Sequence, residues 1–139
     1  MDDRIIKKYV KDYDGLISEL TNAPFVWQPQ FEIGEQAVVF LFAMIFKYLK
    51  FKDISIGHLK DLENKLDATA LLEDGEELWV DIEFESRSSH AKNDIRKVKP
   101  EEYSKTLIVC WDDNWRTRPS EIDVFDIEPL WKKAQEKAT

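Results

Sequence analysis

The segment "LWVDIEFES", residues 78 to 86, constrains the fold more than any other part of this chain. Side chains at i and i+2 of a strand share a face, so Leu78, Val80, Ile82 and Phe84 point one way. Trp79, Asp81, Glu83 and Glu85 point the other. A strand of this kind needs a hydrophobic layer under its first face, and its second face carries acids that repel one another. A solvated outer face neutralised by lysines across the strand is the ordinary solution. The preceding strand candidate, "LDATALLE", supplies Asp67, Thr69 and Leu71 at alternate positions and no such lysine ladder. Acids that converge without a lysine call for a divalent cation, and Mg²⁺ takes oxygen ligands almost exclusively.

The rest of the pattern supplies the other layers. Residues 2–20 carry Ile5, Ile6, Tyr9, Val10, Tyr13, Leu16 and Ile17 at helical spacing and predict one amphipathic helix. A proline-bearing loop, "TNAPFVWQPQ", leads to a second, central helix over "FEIGEQAVVFLFAMIFKYLKF", with Glu32 and Glu35 near its start and lysines at its end, as the helix dipole favours. The stretch "KDISIGHLKDLENK" is ambiguous. "LDATALLE", the turn "DGEE" and the acidic strand then read as an antiparallel hairpin. "RSSHAKNDIRKVKPEEYSK" reads as a basic loop with a short helix ending before Pro100. "TLIVCW" has the continuous apolar character of a strand buried on both faces, "IDVFDI" reads as one more strand, and "EPLWKKAQEK" as a closing helix with proline in its first turn. This order predicts an α/β fold, a central mixed sheet flanked by helices, in one domain spanning 1–139.

With 139 residues and 43% hydrophobic content, the chain has ample material for one core. Its longest apolar run, "AVVFLFAMIF", is too short to span a bilayer, and the acidic start "MDDR" is unlike a secretory signal, so the cytoplasm is the expected compartment. The single cysteine, Cys110, sits within "TLIVCW" and is expected to fill core space rather than to react. The net charge of −8 argues against a general polyanion-binding surface. Distribution matters more than the sum, however, because "KYLKFK" and "RSSHAKNDIRKVK" are locally basic.

These segments together carry a resemblance. The acid-led helix "GEQAVVFLFAMIFKYLKF", the Asp that opens "LDATALL", the strand "DIEFES" and the strand "TLIVCW" resemble the restriction-endonuclease-like, or PD-(D/E)xK, nuclease superfamily over about residues 32 to 127. Of these, the "EFE" strand followed by "SS" and the stretch ending in "CWDDNW" resemble a prokaryotic subgroup most specifically. The resemblance implies an α-β-β-β-α-β core. It also implies a metal-dependent nuclease that hydrolyses phosphodiester bonds with Mg²⁺ or Mn²⁺, with DNA as the expected substrate and a homodimer if both strands of a duplex are to be cut. Matched position by position, Asp67 takes the place of the first motif's Asp, Glu83 that of the second motif's acid, and Glu35 that of the helix acid. Glu85 stands where the family has its Lys, an E-x-E variant that some members share, and Leu66 stands where the family has Pro. The implied metal ligands and catalytic residues are Glu35, Asp67, Glu83 and Glu85, with the Phe84 carbonyl as a further ligand and Glu85 as a second-metal ligand or the base for water.

Arg87, His90, Lys92, Arg96 and Lys97 follow the acidic strand and are the candidates for contact with a nucleic-acid backbone, against the plainer reading of a solvated charged face. Trp111 and Trp115 are read as the rim of the core before base-stacking groups, Asp112 and Asp113 as turn residues, and His58 receives no role. Asp81 matches no family position, and an exposed edge is the expectation for it. The alternative to a nuclease is a noncatalytic nucleic-acid or protein interaction module of the same fold.

Overall fold

The alternating segment becomes the middle strand of a five-stranded sheet whose order in space is its order in the chain. The computed structural model describes residues 1–23, 33–56, 66–74 and 76–138. The strands are β1 (Phe51–Ile56), β2 (Ala68–Asp74), β3 (Glu76–Arg87), β4 (Thr106–Asp112) and β5 (Asp123–Asp126). β1, β2 and β3 pair antiparallel, whereas β3, β4 and β5 pair parallel, so the sheet is mixed and β3 has one neighbour of each kind. The helices are α1 (Asp3–Tyr9), α2 (Tyr13–Thr21), α3 (Glu35–Ile45), α4 (Lys92–Ile95) and α5 (Glu128–Ala138). Among the described residues no helix is long and apolar enough to cross a membrane.

Two expectations are corrected at the element level, and one ambiguity is resolved. The helix predicted over residues 2–20 is two helices, because Val10 turns extended and bridges to Leu49, and the Asp12 carboxylate then accepts from the Gly15 N–H at 2.9 Å to start α2. A Cβ at Gly15 would collide with that carboxylate and with the Tyr48 ring, so the cap and the close packing both require glycine. The central helix stops at Ile45, and its predicted tail forms a 3-10 turn over Phe46–Tyr48 and the start of β1. The ambiguous stretch therefore contributes a strand, whose edge is irregular between Phe51 and Asp53. The expectations for Glu32 and His58 fall outside the described residues.

The two faces of the sheet are buried differently. Val80, Ile82 and Phe84 join Ala70, Leu72, Leu107, Val109 and Phe125 in a large core closed by Leu16, Leu20, Val38, Phe42 and Leu130 of the helices. Phe42 meets Phe84 edge-on at 5.4 Å, which seats α3 directly over β3. On the other face a smaller core joins Ile108, Cys110 and Val124 to Ala91, Ile95, Trp115 and Ile122. β4 is thus covered on both sides, as its unbroken apolar sequence required.

α1 is pinned by charge. Asp123, at the start of β5 and 3% exposed, accepts from Tyr9 Oη at 2.6 Å, Lys8 Nζ at 2.7 Å and Arg4 Nη2 at 3.0 Å. Burial alone would raise this carboxyl, but the bonds from Lys8, Tyr9 and Arg4 outweigh burial and hold it below the usual carboxylate range.

Candidate metal centre

The register of the hairpin decides where the acids meet. Ala68 of β2 lies opposite Ile82 of β3, so Asp67, one residue earlier, reaches the level where β3 presents Glu83. The Asp67 carboxylate accepts from the Phe84 N–H at 2.9 Å, which fixes it against the acidic strand. Glu83 is opposite Ile108 and Glu85 opposite Cys110 in the parallel pairing with β4, so both project on the side of the smaller core. The segment that covers that core brings Asp94 of α4 over the strand. Ligand oxygens of Glu83, Glu85 and Asp94 all lie within 4.8 Å of one another.

Electrostatics ties the remaining acids to this group. Burial is the main reason that the Glu83 carboxyl is pushed up to about 10, and a hydrogen bond and repulsion from Asp67 add to it, followed by Asp94 and Glu85. Burial also leads for Glu85, pushed up to about 7, with the charges of Glu35, Asp94 and Asp67 reinforcing it. Glu35, the first residue of α3, is raised by partial burial and by Asp67 and Asp94. Of the predicted acids, Glu83 and Glu85 share the compact group with Asp94, whereas Asp67 and Glu35 are tied to it by charge.

The donor set fits a hard cation. Glu83 is 4% exposed, and among the described residues the charges that act on it are those of Asp67, Asp94 and Glu85, all negative. A buried carboxylate in such company must hold a proton or share a cation. Carboxylate oxygens alone are the ligands that Mg²⁺ and Mn²⁺ prefer over softer metals.

Asp94 was not among the residues expected from sequence. Its signal was there to read: it is the sole acid in the run from Arg87 to Lys99, where every other charge is positive. The basic candidates lie around it. Arg87 ends β3 and is exposed, His90 is exposed with Nδ1 3.2 Å from Ser86 Oγ, and Lys92, Arg96 and Lys97 are exposed on α4 and the turn after it. Asp81, expected at an edge, lies on the middle strand and accepts from Thr69 Oγ1 at 3.3 Å. Trp115 and Cys110 are core residues, while Trp111 packs on the larger core beside Trp131. Asp113 holds Arg118 at 3.1 Å and accepts from the buried Ser88 Oγ at 2.7 Å, so it serves the loop after β4.

The structure thus establishes an α/β fold with a mixed five-stranded sheet packed against helices, carrying a partly buried acidic cluster able to hold a metal ion. No protein-family model, no curated protein and no solved structure matches this chain.

Proposed function

We propose that this chain is a metal-dependent nuclease of the restriction-endonuclease-like type, hydrolysing phosphodiester bonds in DNA. The observation that carries the proposal is the group of Glu83, Glu85 and Asp94, with ligand oxygens within 4.8 Å of one another, beside which the Phe84 N–H holds Asp67 and on which the charges of Asp67 and Glu35 act. The element order supports it as well: α3, three antiparallel strands, α4 and a parallel strand follow the α-β-β-β-α-β plan that the resemblance implies. The basic residues Arg87, His90, Lys92, Arg96 and Lys97 are exposed and follow the acidic strand in the chain, and they are the candidates to meet a phosphate backbone.

In this reading Asp67, Glu83 and Asp94 would hold the cation, with Glu35 beside them. A bound Mg²⁺ or Mn²⁺ supplies Lewis-acid stabilisation of the charge that builds on the phosphoryl oxygens. Glu85, on the same face of β3 as Glu83, would accept the proton of the attacking water as the general base. The water oxygen bonds to phosphorus, one P–O ester bond breaks, and the departing oxygen takes its proton from solvent. The Phe84 N–H keeps the Asp67 carboxylate oriented throughout.

The test is incubation of the purified protein with labelled single-stranded and duplex DNA and with RNA, with Mn²⁺, with Mg²⁺ and with chelator. Cleavage that needs the metal and falls by about 100-fold or more in Asp67→Ala and Glu83→Gln is expected. Absence of metal-dependent cleavage on every substrate would overturn the catalytic reading.

A further inference from the structure

The antiparallel half of the sheet carries an aromatic side chain that its own fold does not use. Hairpin register sets Leu71 opposite Trp79 and Glu73 opposite Glu77, and Asp53 of β1 stands beside Leu71. Leu71 and Trp79 belong to neither core, and the smaller core draws its sheet residues from β4 and β5 alone. Trp79 is 54% exposed although it lies on the middle strand. Side chains two apart on a strand share a face, so Glu77 and Asp81 flank the Trp79 ring along β3, about 7 Å to either side. No lysine or arginine occupies a paired position of β2 or β3. Glu73 and Glu77 are directly opposed like charges, an arrangement that lowers stability. Lys52 reaches Glu77 from β1 at 3.5 Å with both side chains more than half exposed, and beside Asp81 the charges of Glu102 and Lys105 offset each other. The acids around Trp79 therefore keep the excess.

We propose that this face docks a basic segment of a partner protein, an extended stretch that lays an arginine over Trp79 between further arginines that meet Glu77 and Asp81. Charge complementarity selects the occupant. A second copy of this chain, at net charge −8, and a nucleic acid are both repelled by the acids, and a purely apolar partner would bury them unpaired. Arginine suits both parts of the surface, because its guanidinium stacks on an indole face and its fork of N–H donors matches a carboxylate. The spacing fixes the occupant's pattern. Glu77 and Asp81 are four residues apart on β3, about 13 Å, which is the distance from residue i to i+4 of an extended segment, with residue i+2 over Trp79. None of the acids of the metal centre takes part, so the inference stands or falls apart from the nuclease reading.

The experiment is fluorescence anisotropy of a labelled heptapeptide alternating arginine and valine. It is titrated with the intact wild-type protein, Trp79→Ala, the double variant Glu77→Gln/Asp81→Asn, and Glu121→Gln, whose exposed acid precedes β5. Affinity weakened about fivefold or more in Trp79→Ala and in the double variant, and changed less than about twofold in Glu121→Gln, is expected. In the wild type, the indole N–H resonance that disappears in Trp79→Phe is expected to shift on adding peptide, a readout that does not rest on the folding of Trp79→Ala. Absence of saturable binding would overturn the inference, as would equal affinity in Trp79→Ala and wild type or an unmoved Trp79 resonance. Equal losses in the double variant and Glu121→Gln would reduce the effect to net charge and sink it too. Equal binding of a heptapeptide with glutamine in place of arginine would also refute it, because the surface would then select apolar contact and not charge. Binding that survives Trp79→Ala and is displaced by Mn²⁺ would move the peptide to the metal centre, against the inference. Self-association of the free wild type that Trp79→Ala abolishes in sedimentation would give the face to a second copy, with the same consequence.

Discussion

Glu83 and Asp123 are both buried carboxylates on the same sheet, and their surroundings drive them in opposite directions. Asp123 is met by Tyr9, Lys8 and Arg4, so its charged form is favoured. Glu83 is met by acids, so its charged form is opposed. The signs of their linkage to pH differ accordingly. In the metal-free protein Glu83 and Glu85 hold their protons up to about 10 and about 7, whereas in the unfolded chain they lose them near the ordinary value of 4.5. The folded state then binds more protons than the unfolded state, and the contribution of these groups is full below 4.5 and is lost as pH rises through 7 toward 10. Urea unfolding in chelator is expected to show stability declining from pH 5 to pH 9. Glu83→Gln, which cannot ionise, is expected to flatten that decline and to be more stable than wild type at pH 8 by about 1–2 kcal/mol. A wild-type protein that gains stability over this range would contradict the protonation states described above.

At the scale of elements, α1 shows what a charge contact can do that apolar contacts do not. It contributes Ile5 and Tyr9 to the core, but three of its side chains converge on one carboxylate at the start of β5. Asp123→Asn keeps the volume and removes the charge, and is expected to cost about 2–3 kcal/mol in urea unfolding at pH 7. Because the Asp123 carboxyl titrates below its ordinary value of 3.8, that difference should be present at neutral pH and shrink as pH falls below about 4. The same scale explains what the sequence revealed. β3 and β4 were legible because alternation and an unbroken apolar run are strong signals of strands covered on one side and on both. The break in the first helix was not, since Val10 fits the helical spacing and leaves it only to pair with Leu49, a contact across the chain. β1 was equally hidden, because "FKDISI" becomes a strand by pairing with β2, and no local turn announces it. Glu83 and Glu85 were readable as neighbours because they share one face of β3, and hairpin register sets Asp67 level with Glu83. Asp94 was masked by its basic neighbours, and only the docking of α4 on the smaller core turns it inward.

For the molecule as a whole, several of its 28 acids are gathered where ionisation is least favourable, in a half-covered cluster behind a basic segment. A cation that binds only the folded state must raise stability by mass action, by about 2.7 kcal/mol at a concentration one hundred times its dissociation constant. Thermal unfolding with increasing Mn²⁺ is expected to show a rising midpoint that chelator reverses and that Asp67→Ala lacks. A midpoint indifferent to Mn²⁺ and Mg²⁺ would leave the acids without the partner proposed for them. The mixed pairing of β3 also has a kinetic side. Its antiparallel contact with β2 joins residues close in the chain, whereas its parallel contact with β4 must wait for the crossover through α4. Short-range pairing closes before long-range pairing, so the hairpin forms while its acids are still hydrated and ionised. Their desolvation belongs to the last docking step. Alkaline pH is therefore expected to act mainly on the rate at which the protein comes apart and little on the rate at which it assembles, and an ion bound there would act as a brake on unfolding.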